Sequence, residues 1–265
     1  PDVSKWNVSE ATYMNGMFEG ATSANPDVSR WDTSKVTDMR NMFNGATSAN
    51  PDVSKWNVSK VAYMNGMFGG ATSANPNVSK WKVSQVYNAE KMFAHSGIEK
   101  ADLSNWDFGI AKNYNDMFNY CSNLEYLKTP KGFKMGIVGM NKDFKVVKLK
   151  KGSEATVEHE SINLNSEFNI NDSGDKHTAY NIYRKDKYVG VTFDKNDADT
   201  SAFRNHEITE KGKSLKDSKI GLPEVNPGRA GHKFLGWSKS KTATAPDFDE
   251  STVVDSDITA YAGRS

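Results

Sequence analysis

Apolar and polar positions along the first half of the chain recur with a fixed period of 25 residues and no insertion. Each period carries a tryptophan at its sixth position and a Met–Phe pair at positions 17 and 18. The tryptophans are Trp6, Trp31, Trp56, Trp81 and Trp106, and the phenylalanines are Phe18, Phe43, Phe68, Phe93 and Phe118. A fixed period is typical of units that stack on one another, so we expect both rows to form a structural core ladder.

The fifth repeat indicates which architecture to expect. Its apolar residues, from Ile98 to Phe108, fit the leucine-rich spacing L-x-x-L-x-L-x-x-N-x-L, and Trp106 takes the position of the usual Asn. This register predicts a short parallel strand around Ala101 and Leu103, with both side chains pointing inward.

A short helix is predicted after the strand and turn of each repeat. In the second repeat, Val36, Met39, Met42 and Phe43 fall at i, i+3, i+6 and i+7, which is one face of a helix. The expected N-caps are Ser9, Ser34, Ser59 and Ser84, and the expected left-handed helix ends are Gly20, Gly45 and Gly70. The sequence therefore predicts an α/β leucine-rich-repeat solenoid with one short parallel strand and one short helix per rung.

The repeats are close to identical. The first and third differ only at Glu10/Lys60, Ala11/Val61, Thr12/Ala62 and Glu19/Gly69. Such similarity indicates recent duplication. Duplication lengthens the array of repeats and does not favour a unique binding pocket.

Changes in composition predict three domains. Residues 1–127 form the solenoid, residues 128–187 a lysine-rich β cap or linker, and residues 188–265 a small β-rich domain around Trp237. Lys128–Lys151 holds eight lysines and a single acid. The alternation in Phe144–Lys150 predicts a strand with its lysines facing solvent, covering the last rung. The alternative is a patch for an anionic polymer, sulfated or teichoic.

Composition restricts the partners and the setting. The 34 basic and 33 acidic residues nearly balance, which argues against nucleic acid as a partner. There is no transmembrane segment and no signal peptide. Pro1 begins in the phase of a repeat, so we expect an N-terminally truncated fragment whose anchor lies elsewhere. Cys121, at a position that is Ala in other repeats, is expected to be a structural thiol.

Two stretches resemble known bacterial families. Pro26–Met39, followed by Met42 and Phe43, resembles the 25-residue repeat of BspA-like leucine-rich repeat surface proteins. Val191–Asp194, Phe234–Trp237 and Asp257–Ala262 resemble the Listeria-Bacteroides repeat, a β-grasp-like domain. The resemblances imply display outside the cell, at the bacterial surface or after secretion, in adhesion, host contact or envelope attachment.

The motifs of common catalytic chemistries are missing from the sequence. His159-Glu160-Ser161 lacks the second histidine of a zinc protease helix, and there is no nucleophile elbow, phosphate loop or paired-cysteine zinc site. We therefore expect no catalytic residues, no cofactor, no metal and no enzymatic activity.

One outward row of charged residues is the candidate ligand-facing ladder. It consists of Asp2, Asp27, Asp52, Asn77 and Asp102, with Lys5, Arg30, Lys55 and Lys80 three positions on. Stacked carboxylates repel each other, so something must compensate. Each Asp could close its own turn or pair with the cation of its rung. Alternatively, the row reads a polymeric ligand in register, or holds calcium.

The expected function is a non-enzymatic surface or secreted interaction module. The expected partner is a host extracellular-matrix or cell-surface protein, or a glycan, bound through the repetitive outward face. The alternative is a structural stalk that displays another domain.

Overall fold

The structure, a computed structural model, describes residues 1–150, 152–196, 205–224 and 226–265. The chain forms two compact units. Unit 1 comprises Pro1–Lys142 and Asn163–Tyr180, and unit 2 comprises Asp143–Ile162 and Asn181–Ser265. Within the described residues all regular structure is β, and none of them lies in a helix. The prediction of an α/β leucine-rich-repeat solenoid is therefore wrong.

In unit 1 the five 25-residue repeats are turn-rich rungs that lie one on another. One corner of each rung forms an isolated parallel bridge with the next, through Tyr13, Asp38, Tyr63, Asn88 and Asn113. The predicted strand forms in the fifth rung alone among the five: β1 (Lys100–Asp102) pairs in parallel with β2 (Tyr126–Lys128). There, Ala101 and Leu103 are buried.

The segment predicted to be helical instead bonds to the neighbouring rung. Backbone N–H groups of the first rung donate to carbonyl oxygens of the second at 2.7–2.9 Å, from Met14, Gly16, Phe18 and Gly20 to Asp38, Arg40, Met42 and Asn44 respectively. The residues between them donate within their own rung, as Glu19 N–H does to Gly16 O. Turns that bond to the third residue back also place i and i+3 on one side, which explains the helix-like apolar spacing.

Left-handed residues prevent a helix from forming here. Two positions of every rung have φ between 53° and 69°, namely Gly16, Asn41, Gly66, Lys91 and Asp116, and Gly20, Gly45, Gly70, His95 and Tyr120. A right-handed helix cannot continue through such residues.

The expected N-cap serines are the donors of Asx turns. Backbone N–H groups of Ser9, Ser34 and Ser59 donate to the side-chain oxygen two residues earlier, at 3.0–3.1 Å. In the fourth rung this earlier residue is Lys82, whose side chain has no acceptor.

Aromatic ladders run through the rungs of unit 1. Trp31, Trp56, Trp81 and Trp106 are at most 4% exposed, whereas Trp6 of the first rung is 51% exposed. Each of these four indoles donates Nε1–H to a carbonyl of the preceding rung at 2.9–3.0 Å. Neighbouring phenylalanine rings stack at 5.2–5.7 Å between centroids, from Phe18 to Phe118.

The chain after the fifth rung covers that rung. Phe133 stacks on Tyr114 at 5.1 Å, and Tyr120 N–H donates to Val138 O at 2.8 Å. Next to this segment, β3 (Met135–Ile137) pairs antiparallel with β6 (Phe168–Ile170).

Unit 2 contains the longer strands. They are β4 (Asp143–Lys150), β5 (Thr156–Asn163), most of β7 (Thr178–Arg184), β8 (Tyr188–Asp194), β9 (His206–Glu210), β10 (Phe234–Ser238) and β11 (Ile258–Arg264). The last four form a mixed sheet in the order β10-β11-β8-β9, with β8 and β11 parallel. Trp237 is buried in its core, edge-on to Phe193 at 4.9 Å.

Among the expected solvent-facing lysines of β4, Lys150 is exposed and Lys148 half-buried, but Lys145 needs a correction. Phe144–Val147 are all buried, so both faces of the strand are covered there. The Lys145 side chain is 7% exposed and lies 2.5 Å from Asp257 and 3.0 Å from Glu160. Its charge is compensated inside unit 2, which leaves it unavailable to an anionic polymer. Lys151 lies outside the described residues.

Candidate functional site

The predicted ladder lies on the surface of unit 1, and we call it the Asx–cation row. In every rung, the Asx side-chain oxygen accepts the backbone N–H of the serine two residues later, at 2.9–3.1 Å. From the second rung onward the serine hydroxyl also donates to it, at 2.6–2.7 Å. The same backbone Asx turn therefore recurs at this position in all five rungs.

These turns explain how neighbouring carboxylates are tolerated. The pKa of Asp27 is lowered first by the hydrogen bond from the Ser29 hydroxyl and then by the Ser29 N–H, while Asp2 opposes the shift. Asp52 shows the same arrangement with Ser54. The compensation is thus local, as one of the interpretations of the sequence proposed.

The cations of the row remain open to a partner. Lys5, Arg30, Lys55 and Lys80 are all exposed and form no ion pair with a residue that the structure describes. The charges of Arg30 and Lys55 contribute to lowering the pKa of Asp27 and Asp52, but after the serine hydrogen bonds. Within the described ranges, no group of three His, Cys, Asp or Glu side chains could hold a metal ion, so the calcium alternative has no candidate site there.

A second surface, which sequence reasoning missed, lies on the side of the rungs that was expected to be helical. We call it the amide groove. It consists of two adjoining cavities of about 350 and 370 Å³ that share Asn41 and Asn65. The first is bordered by the polar residues Asn41, Asn44, Asn65, Glu90, Lys91 and His95, and the second adds Asn15, Glu19 and Arg40.

The third rung has no side chains at three of the positions that line the first cavity. Gly66, Gly69 and Gly70 form this part of the wall. A Cβ on Gly66 would collide with Asn41 Oδ1, and one on Gly69 would lie 2.8 Å from Asn44 Nδ2. The amides of the second rung therefore occupy space that the glycines leave open.

Asn65 lines both cavities and carries an unsatisfied acceptor. Its Oδ1 is buried and has no hydrogen-bond partner among the described residues. A buried amide oxygen without a donor is energetically unfavourable, and its burial also keeps it out of reach of a molecule in the groove.

The sequence contained one signal for this groove, the Glu19/Gly69 difference between two otherwise similar repeats. That difference identifies a site only when position 19 of the repeat is known to lie beside a cavity. A helical interpretation could not show this.

The lone thiol is a structural group. Cys121 is fully buried, with Sγ 3.0 Å from Phe93 O, and burial raises its pKa to about 12. At neutral pH it is protonated and inert.

Comparisons with known proteins find two family matches. Residues 1–106 match the family described as "Mycoplasma protein of unknown function, DUF285", and residues 190–263 match the Listeria-Bacteroides repeat domain. No curated protein and no solved structure matches the chain. Among the described residues there is no helix that could span a membrane.

These matches support part of the earlier interpretation. The predicted Listeria-Bacteroides repeat is confirmed, and both domains are of the kind that suggests a bacterial surface protein with an extracellular or surface location. The leucine-rich-repeat assignment of the first half is not supported, because neither matched family is a leucine-rich repeat and the rungs lack helices.

Proposed function

We propose that this protein is a non-enzymatic interaction module of the bacterial surface, which binds an extracellular host matrix protein, cell-surface protein or glycan through the outward face of its rungs. The observation that carries the proposal is the regular Asx–cation row. Every rung from the first to the fourth presents one exposed, unpaired cation beside a side chain whose oxygen is already occupied.

A row of this kind suits binding of an extended partner through many weak contacts. A single exposed charge contributes little, on the order of 0–1 kcal/mol, but several that engage one extended partner act together through effective concentration. The serine donors bond only to Oδ1 of Asp27 and Asp52, so these carboxylates keep their charge and the row alternates in sign. Salt should therefore weaken its attraction for a charged partner.

The test is binding of the intact chain to immobilised fibronectin, collagen and mucin, measured by surface plasmon resonance at low and physiological salt. The variant Lys5→Ala/Arg30→Ala/Lys55→Ala/Lys80→Ala should weaken binding by about tenfold or more, equivalent to about 1.4 kcal/mol. Its melting temperature should stay nearly unchanged, because exposed surface positions contribute little to stability.

A matched control removes the same number of positive charges elsewhere. Lys216, Lys233, Lys239 and Lys241 are exposed residues of unit 2, and their joint replacement by Ala should leave binding intact. Equal losses in both variants would indicate a non-specific charge effect. No binding to any partner on the panel would favour the structural stalk instead.

A further inference from the structure

We propose that the turns of the third and fourth rungs form a binding site for an acidic glycan, whose sulfate, carboxylate or phosphate groups contact four lysines. We call this surface the basic patch, and it consists of Lys55, Lys60, Lys80 and Lys82. The inference rests on the proposed interaction function and names a ligand class and the rungs that bind it. All four lysines are exposed, and none forms an ion pair with a residue that the structure describes.

Two tight turns in each rung hold the backbone of the basic patch. In the third rung, Trp56 N–H donates to Val53 O at 3.1 Å. Val61 N–H then donates to Val58 O at 3.0 Å. These four side chains are buried, so the exposed lysines between them lie on the outer surface. The Trp81 indole of the fourth rung donates to Val53 O at 3.0 Å, which holds the lysine-bearing turns of the two rungs side by side, roughly 4.8 Å apart.

The first two rungs carry a different balance of charge at the same positions. Positions 2, 5, 7 and 10 of the first and second rungs hold three bases and four acids, whereas those of the third and fourth hold four bases and one acid. The residues are Asp2, Lys5, Asn7, Glu10, Asp27, Arg30, Asp32 and Lys35 in the first pair, and Asp52, Lys55, Asn57, Lys60, Asn77, Lys80, Lys82 and Gln85 in the second. Within nearly identical repeats, the excess of positive charge on these turns is therefore confined to the third and fourth rungs.

The fourth rung gains its charge at the expense of a turn hydrogen bond. At position 7 the other four rungs have Asn or Asp, whose side-chain oxygen accepts the backbone N–H two residues later at 2.9–3.1 Å. Lys82 has no acceptor for this bond. At position 2, Asn77 still accepts Ser79 N–H at 3.1 Å but carries no negative charge. Both differences make the patch more positive, and a local rule broken without a structural gain is typical of a functional site.

The row at position 10 also becomes basic in the third rung. Lys35 Nζ lies 2.8 Å from Glu10 of the first rung, which shows that side chains of adjacent rungs meet in this row. Lys60 has Lys35 on one side and Gln85 on the other, so no acid adjoins it in the row. An incoming anion can therefore contact Lys60 without displacing an acidic partner.

The chemistry of the patch favours a glycan over other anionic partners. Single-stranded nucleic acid stacks its bases on exposed aromatic side chains, but the aromatic residues of these turns, Trp56 and Trp81, are 4% and 1% exposed. Peripheral binding to a lipid surface uses apolar side chains together with cations, but the valines of these turns are buried as well. An acidic glycan needs only spaced point charges, which lysine ammonium groups supply.

Charge reversal with residues that the repeats already use tests the patch. Lys60→Glu and Lys82→Asp introduce the residues that the first and second rungs have at these positions, so the double variant should fold. Lys60→Gln/Lys82→Asn is a neutral version, and a thermal melt verifies that both variants fold. The matched control, Lys233→Glu/Lys239→Asp, makes the same change in net charge at exposed positions of unit 2.

The experiment measures binding of the intact chain to immobilised heparin, hyaluronan and ribitol-phosphate teichoic acid at low and physiological salt. These probes separate sulfate, carboxylate and phosphate, and host glycans from a bacterial envelope polymer. We expect binding to at least one of them, weakened by salt. The reversed variant should weaken it by about tenfold or more and the neutral variant by less, while the control leaves it unchanged.

The opposite exchange in the first two rungs should extend the patch. Glu10→Lys removes the acidic partner of Lys35, and Asp32→Asn keeps an acceptor for Ser34 N–H. The double variant Glu10→Lys/Asp32→Asn should therefore strengthen binding to the same glycan by about threefold or more. Unchanged or weaker binding would show that charge on these turns does not determine affinity.

The results separate this inference from the proposed function. Equal effects of the reversed variant and its control would overturn the basic patch. Binding to single-stranded DNA or to vesicles of anionic lipid, without any acidic glycan, would overturn it as well. Binding to fibronectin or collagen without any acidic glycan would overturn the patch and leave the interaction function standing. An absence of binding to every probe would overturn both proposals.

Discussion

Replacing Lys91 by glycine should stabilise unit 1, although glycine usually destabilises. Lys91 has φ 54°, and the left-handed region costs an L-residue about 1–2 kcal/mol. Glycine avoids this cost but loses about 0.4–1 kcal/mol through the greater freedom of the unfolded chain. The hydrogen bond from Lys91 N–H to Asn115 O, 3.0 Å, involves only backbone and persists. At the midpoints of these two ranges the net gain is about 0.8 kcal/mol.

The same position of the preceding rung provides the opposite test. Gly66→Ala would put a side chain at φ 64° and a Cβ against Asn41 Oδ1, so we expect a loss of about 1–3 kcal/mol. His95→Gly should be close to neutral, because relief of its left-handed φ is offset by loss of ring stacking on Tyr120, about 0.5–1.5 kcal/mol.

The assay is urea unfolding at neutral pH, followed by fluorescence of the stacked tryptophans of the rungs, with a thermal melt in parallel. Lys91→Gly should raise the urea midpoint without changing the slope, and raise Tm by about 1–4 °C. If Lys91→Gly destabilises the chain as an ordinary glycine substitution does, the left-handed conformation is not what determines stability at this position, and the argument fails.

Three further outcomes are expected. The hydrogen bonds from Ser54 hold the pKa of Asp52 below its usual 3.8. The stability that Asp52 contributes is therefore fully present above pH 3.8 and is lost as the pH falls through its lowered pKa. Asp52→Asn should flatten the acid limb of a plot of urea midpoint against pH. Burial would raise the pKa of Asp257, but hydrogen bonds from Lys145 and the Gly190 N–H outweigh it and lower the pKa. Asp257→Ala should cost about 2–3 kcal/mol in urea unfolding, because it leaves the charged Lys145, 7% exposed, with only the exposed Glu160 as an acidic partner among the described residues. Lys145→Met should cost less, and equal costs would contradict this. Cys121 should react with a thiol reagent only as fast as the chain unfolds, and rapid labelling of the folded protein at pH 8 would contradict its burial.

The repeat period and the rows it generates could be predicted from the sequence, whereas the conformation of the rung could not. Val36, Met39, Met42 and Phe43 point inward and are all buried, so the apolar spacing was read correctly as one face. The spacing alone could not distinguish a helix from successive tight turns. The deciding feature is φ at position 16 of the repeat, where Gly16 and Gly66 alternate with Asn41 and Lys91.

The two candidate sites also differ in how far the sequence could predict them. The local role of Asp27 and Asp52 follows from Asx-turn chemistry, and the sequence suggested it as one of the open interpretations. The amide groove depends on which side chains are absent from the third rung and on the collision that a Gly66 Cβ would cause. Lys145 was misplaced because alternation in a strand does not reveal that an acidic partner, Asp257, lies 112 residues further along the chain.

The hydrogen bonds between rungs also bear on how this array would be expected to respond to force. They join each rung to the next through backbone N–H and carbonyl groups, so every interface carries the same tension along the stack and the interfaces would break one after another. Release of one rung frees 25 residues, which extend by roughly 80–90 Å. The rungs would therefore release chain in equal steps, each the length of one repeat.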